Sequence, residues 1–284
     1  MTMTNGVVLI HGAWHDHHTW DSVVPLLEAE GCVAKAIDLP GAGASAPRPA
    51  SFNTRPLDPA AFGTEPSPNA GMTQDERTAA AIEAVREVNA KTGGKAVVLG
   101  HSLGGLTVSP VVEAISDEVS AAVYLTAFML PPGMVAGQMI QHELMAEALV
   151  PTLFMADPEQ VGALRMDTAS SDPAYMARAK EAFYADLTDA QFETALDHLH
   201  PDEPAQVAGV PSNVSTERFG CVARHYIQCI EDRAITLAGQ QEMIRLMDDA
   251  MGNQTTVHRL KTSHSPFHSQ PAALASLISK IAGG

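Results

Sequence analysis

The chain has 284 residues, 45% of them hydrophobic and 18% charged, and carries a formal net charge of −16 on only 17 Lys plus Arg. That length and composition support a full hydrophobic core, one domain with an elaboration, and exclude a mainly disordered chain. Without a basic run the charge balance argues against nucleic acid and membrane surfaces as partners; no apolar stretch of 18 residues occurs, and MTMTNGVVLI lacks the basic start and cleavage site of a secretory signal, so a cytoplasmic location is expected.

The first apolar run, Gly6–Ile10, has strand length and leads into HGAWHDHHTW, His11 to Trp20, which packs four histidines and an aspartate into ten residues. Trp20–Glu30 places Val23, Val24, Leu26 and Leu27 at helical spacing and stops at Gly31; Cys32–Asp38 is the second strand. Pro40–Met72 holds seven prolines and few apolar residues and reads as a long ordered loop or a mobile excursion. Thr73–Lys91 opens on the capping-box pattern Thr73 to Glu76 and ends before Gly93 and Gly94. Strands follow at Lys95–Leu99 and Ala121–Thr126.

Pro131–Val222 then breaks the rhythm, with helix-like pieces at Pro173–Asp186 and Asp189–Leu199 and no clear strand. Strands resume at Tyr226–Ile230 and Thr255–Leu260, and a last helix runs from Pro271 to Gly283. Continuous apolar runs alternating with helices predict an α/β fold on a mainly parallel sheet flanked by helices. The predicted organisation is a core of residues 1–130 and 223–284, with the excursion at 40–72, and a helical cap at 131–222. Cys32, Cys221 and Cys229, odd in number and beside apolar segments, read as buried thiols.

The chemistry centres on KAVVLGHSLGGLTV, Lys95 to Val108, where Gly100-His101-Ser102-Leu103-Gly104 stands between a strand and a helix. A serine at such a turn holds its hydroxyl above the sheet, and flanking glycines are needed because side chains there would meet the neighbouring strand and helix. To act as a nucleophile it needs a general base oriented by a carboxylate, and in this architecture acid then histidine follow the serine, each just after a strand. Glu231 and Asp232 both fit the acid's place, Asp232 better as the first loop residue; His264 and His268 compete for the base, and His264, on the loop rather than beside the last helix, is preferred. One donor for a tetrahedral oxyanion is expected from the Leu103 N–H and another from a loop after an early strand.

With HGAW, DLPGAG, GHSLGG, CIEDRAI and SHSPF in this order, the chain resembles the α/β-hydrolases over essentially its whole length. It is most similar to the branch holding plant methyl-ester hydrolases, hydroxynitrile lyases and bacterial esterases of similar size, some acting on aromatic or pyrethroid esters. The resemblance implies that Ser102 attacks, His264 shuttles the proton, Asp232 orients His264, and the Ala13 and Leu103 N–H groups bind the oxyanion. Lyases of that branch generally have a threonine after the first histidine and a lysine after the catalytic one; here Gly12 and Ser265 stand there, which favours hydrolysis. A ligand-binding receptor on the same scaffold commonly loses the histidine, and here His264 is present.

The expected activity is therefore a serine carboxylesterase acting on small apolar or aromatic esters without cofactor or metal, with a homodimer left open. Trp14, Phe128 and Met129 are expected at the substrate, within a methionine-rich stretch, Met129 to Met176, that lacks a cluster of Arg or Lys to hold a carboxylate. Zinc at His11, His15 and His18 is set aside because no further carboxylate or cysteine arrives at ligand-like spacing, and Asp197-His198-Leu199-His200 reads as a helix end in solvent. Asp38 lines the entrance or caps the following turn.

Overall fold

A computed structural model describes residues 5–44 and 46–284. Among them eight strands form in chain order: β1 (Gly6–Ile10), β2 (Val33–Ile37), β3 (Ala96–His101), β4 (Val119–Leu125), β5 (Ala163–Arg165), β6 (Asp202–Pro204), β7 (Ala223–Cys229) and β8 (Thr256–Leu260). Six of these build one sheet in the order β2-β1-β3-β4-β7-β8, parallel at every pairing.

Alternation along the strands explains why their sequences are apolar throughout. Val8, Ile10, Val98, Tyr124 and Tyr226 face one side, against helices Gln74–Thr92, Gly105–Ala114 and Leu237–Met251. Their neighbours Val7, Leu9, Val97, Val123 and Ile227 face the other, against Val24–Ala29 and Pro271–Gly283. The central strands β1, β3, β4 and β7 are thus buried on both faces, as helix-covered parallel sheets require, while the edge strands β2 and β8 are partly open to solvent. The Gln74–Thr92 helix starts on the expected box: the Thr73 hydroxyl accepts from the Glu76 N–H at 3.2 Å and the Glu76 carboxylate from the Thr73 N–H at 2.8 Å. Gly93, at φ +70°, ends it in the left-handed conformation that glycine adopts without a Cβ penalty.

One expectation is settled between β2 and β3, and another is corrected between β4 and β7. This stretch holds helices Pro173–Phe183 and Asp189–Leu196, but also the antiparallel pair β5 and β6. Three-residue strands carry no readable period. They are held by a fully buried fork, Arg165 Nε and Nη2 each donating to Asp202 at 2.7 Å. The proline-rich excursion is ordered where it is described: it contains the helix Pro59–Thr64 and accepts from Arg165 Nη1 at the Phe62 and Glu65 carbonyls, 2.5 and 2.7 Å away. Among the described residues no helix is long and apolar enough to cross a membrane.

A third apolar cluster sits beyond the strand ends. Ala13, Leu103, Phe128 and Ala234, from the segments following β1, β3, β4 and β7, join Met139, Met145, Leu153 and Phe183 from the inserted stretch. The elements thereby converge at the C-terminal edge of the sheet.

Candidate active site

Ser102 lies at the turn from β3 into a short 3-10 segment, Ser102–Gly104, that continues as the helix Gly105–Ala114. Its φ is +53°, a left-handed value that costs a residue with a Cβ on the order of 1 kcal/mol or more and persists only where the surroundings impose it. Close approach imposes it here. A Cβ on Gly100 would stand 2.8 Å from the Gly104 carbonyl, and one on Gly104 would collide with the His11 carbonyl. The amides that open the helix have no intrahelical acceptor, so they point positive charge at the turn.

Asp232 is buried at the end of β7 and accepts four hydrogen bonds. One oxygen takes His264 Nδ1 at 2.6 Å and the Thr126 hydroxyl at 2.5 Å; the other takes the Ala234 and Ile235 N–H groups at 2.6 and 3.0 Å. All four partners are donors, so both carboxylate oxygens are used as acceptors. His264 donates its Nδ1–H to Asp232, and in the neutral ring this tautomer leaves Nε2 as the acceptor. The histidine's loop is tied to the serine's turn by His101, whose Nε2–H donates to the His264 carbonyl at 3.0 Å.

The competing residues lie elsewhere. Glu231 is exposed and faces Lys261 Nζ at 3.7 Å. His268 stacks edge-on against Phe267, and burial pushes its pKa down to about 4.

Ser102, Ala13, Leu103, Trp14 and Phe128 line one narrow cavity with Phe154, Phe183 and Ile235. Ser102 supplies the only hydroxyl among the lining residues, and none of them is charged. Trp14 spends its indole N–H on the Leu164 carbonyl at 2.7 Å, which leaves an apolar face to the cavity. The ring of Phe183 is 5.8 Å from that of His264, linking the cavity wall to the histidine. Met129 does not line this space: it is fully buried in the core against the helix-covered face of the sheet, while Phe128, one residue earlier on the extended segment, points the other way.

Thr126 and Tyr184 join the candidate site without having been marked in the sequence, and His15, from the histidine-rich border of the first loop, supports that loop from behind. The His15 Nδ1–H donates to the Ala13 carbonyl at 2.6 Å, and the Tyr184 hydroxyl donates to His15 Nε2 at 2.7 Å. His11 does similar work, giving Nδ1–H to the Gly12 carbonyl at 2.8 Å and accepting from the Leu39 N–H at 3.0 Å. These bonds fix the loop while the Ala13 N–H itself donates to no described residue. Only the place of Thr126 directly after β4 offered a signal; the pairing of His15 with Tyr184 spans two distant segments and left none.

Buried neutral histidines make stability depend on pH. Burial pushes His15 down to about 3 and His268 to about 4, against the usual 6.5 retained when the chain unfolds. Between those values the unfolded chain binds more protons, so stability falls as pH drops from 6.5 toward 4. The melting temperature, followed by circular dichroism from pH 7 down to 4.5, is expected to fall steadily across this window; a flat profile would contradict the assigned burial.

A buried carboxylate, a histidine with a free Nε2 and a serine on a strained turn are the parts that nucleophilic acyl transfer uses. Comparison with known proteins agrees with the fold. A family model for the alpha/beta hydrolase family matches residues 7–277. A chloroplastic protein of Arabidopsis thaliana assigned as methylesterase 11 is 27% identical over 297 residues, covering 98% of this chain; the chain spans only 64% of that relative's length. The pyrethroid hydrolase of Sphingobium wenxiniae is 26% identical over 287 residues, covering 99% of this chain and 89% of the relative. Among solved structures, a pyrethroid hydrolase from Sphingobium faniae JZ-2 has a TM-score of 0.75 at 24% identity, covering 99% of this chain and 98% of that one, a likeness of fold.

Proposed function

The chain belongs to the alpha/beta hydrolase family, and from that premise we propose that it is a serine carboxylesterase of small apolar or aromatic esters. Ser102 attacks the ester carbonyl while His264 Nε2 takes its proton, and Asp232 holds the imidazole in the required tautomer and balances its charge. The Ala13 and Leu103 N–H groups receive the oxyanion. His264 then protonates the departing alcohol, and water activated by the same nitrogen releases the acid from the acyl-enzyme.

The observation that carries this reading is the buried 2.6 Å bond from His264 to a carboxylate with every lone-pair direction engaged, beside a cavity whose one hydroxyl is Ser102. Lyase chemistry is disfavoured, because a Cβ on Gly12 would lie 2.8 Å from both Ser102 Cβ and His101 Nδ1, leaving no room for a threonine hydroxyl.

The uncharged walls support neutral substrates, in keeping with relatives named for methyl-ester and pyrethroid hydrolysis. Placing an unpaired carboxylate in such a cavity costs several kcal/mol. A panel of nitrophenyl esters checks this: the kcat/KM for a neutral butyrate is expected to exceed that for an anionic succinate by roughly 100-fold, about 2.7 kcal/mol of discrimination. A preference for the anionic ester would contradict the substrate class, and no hydrolysis of any ester by the folded protein would contradict the reaction.

A further inference from the structure

The histidine-rich stretch after β1 meets a second one from the inserted segment. The ring of His18 lies 4.2 Å from that of His198 and 4.1 Å from that of His17, so three imidazoles pack together outside the apolar cavity. No hydrogen bond joins them to one another; each of the first two is held by a carboxylate instead. His17 donates through its backbone N–H and Nδ1 to Asp38 at 2.8 and 2.9 Å, and His18 through Nδ1 to Asp21 at 2.8 Å. Asp16, buried beneath them, spends one oxygen on the His18 N–H at 2.9 Å, and its other oxygen has no partner among the described residues.

One donor atom each from Asp16, His18 and His198 fall within 4.8 Å of one another. We propose that Asp16, His18 and His198 bind a divalent transition-metal ion of the zinc class. Two imidazoles and a carboxylate are the donor set such ions select, whereas magnesium and calcium take oxygen alone. Donor atoms held roughly 2.0–2.2 Å from one tetrahedral zinc stand about 3.4 Å apart, so modest side-chain rotation brings the three to ligation distance. Asp21 supplies what a metal-binding histidine almost always has, a carboxylate on its other ring nitrogen that fixes the ring and leaves Nε2 for the ion. Three carboxylates, Asp16, Asp21 and Asp38, give the cluster a negative field with no Lys or Arg among its members.

The ligands come from two sides. Asp16 caps, and His18 lies within, the 3-10 turn His17–Trp20 that follows the loop carrying Ala13, and His198 stands two residues past the helix Asp189–Leu196 of the inserted segment. A bound ion therefore fastens that segment to the core. Its role is structural, since the cluster shares no residue with the cavity at Ser102. Sequence reasoning set the metal aside for want of a further ligand near His18; the missing one lies far along the chain.

The test uses untagged, metal-stripped protein titrated with zinc chloride, read by calorimetry, native mass spectrometry and thermal melting. One tightly held equivalent per chain is expected, with a melting temperature raised on the order of 5 °C at a hundredfold excess over Kd. His198→Ala, a change at an exposed position, abolishes the rise, as does His18→Ala, and Asp21→Asn weakens binding about tenfold. His258→Ala, on the distant strand β8, leaves both unchanged, and magnesium chloride gives no shift. Absence of a rise in the unmodified protein, or a rise that persists in His198→Ala, overturns the proposal.

Discussion

Ser102→Ala is expected to lower kcat/KM for a neutral nitrophenyl ester by at least about 10,000-fold, the scale on which loss of an acyl-transfer nucleophile is felt. The same change leaves the fold alone. The Ser102 hydroxyl makes no hydrogen bond to a described residue, so its removal strands no buried partner, and alanine keeps the same Cβ in the same left-handed backbone. A melting temperature within about 2 °C of the parent's is expected, because a change that makes no cavity and breaks no bond falls in the range of a few tenths of a kcal/mol. Initial rates and a thermal melt on the same preparations check both halves. Retention of more than about a hundredth of the activity would remove Ser102 from the nucleophile's place, whatever the melt.

Asp232→Asn is expected to cost about 10,000-fold in kcat, and it differs from the first in also costing stability. All four groups that meet Asp232 are donors: His264 Nδ1–H, the Thr126 hydroxyl, and the Ala234 and Ile235 N–H groups. An asparagine accepts through one oxygen only. If its NH2 takes the oxygen that faces His264, the ring is driven to the tautomer protonated at Nε2, which cannot receive the serine's proton. If the NH2 turns toward Ala234 and Ile235, two backbone donors lose their acceptor in a buried site. The first arrangement forces the wrong tautomer and the second strands two buried donors at about 1–3 kcal/mol, which lowers the melting temperature by roughly 2–10 °C. Steady-state kinetics and a melt on this variant are the check; a rate within tenfold of the parent's would mean that Asp232 does not orient the base.

The parts of this site that the sequence made legible are those fixed by backbone order. Strand-length runs marked every strand of the parallel sheet: in the central ones burial on both faces removes the polar residues that would obscure them, and the edge strands β2 and β8 kept enough apolar residues to be seen although they are partly exposed. Ser102 could be found from its glycines, and Asp232 and His264 from their places after β7 and β8, which the structure brings within 2.6 Å of each other. The choice of Asp232 over Glu231 has a plain geometric counterpart: Glu231 turns outward to Lys261.

What escaped the sequence depends on contacts between distant segments. Thr126 donates to Asp232 across two strands, and Tyr184 reaches His15 from the inserted stretch. β5 and β6 are too short to show a period and exist because Arg165 and Asp202 meet in a buried fork. Met129 was misplaced for a different reason. Its composition fits an apolar pocket as well as Phe128 does, and only the direction of the side chain on an extended backbone separates them.

The central claim is that Ser102 is a nucleophile activated by the Asp232–His264 pair. A fluorinated alkyl phosphonate with a nitrophenol leaving group tests it most directly, because the reagent mimics the tetrahedral intermediate and bonds only to an activated hydroxyl. Incubation followed by intact-mass and peptide mass spectrometry is predicted to show one adduct per chain, confined to the peptide containing Ser102 and lost in Ser102→Ala and in His264→Ala. Labelling on another residue, labelling that survives in His264→Ala, or none on the folded protein would contradict the account.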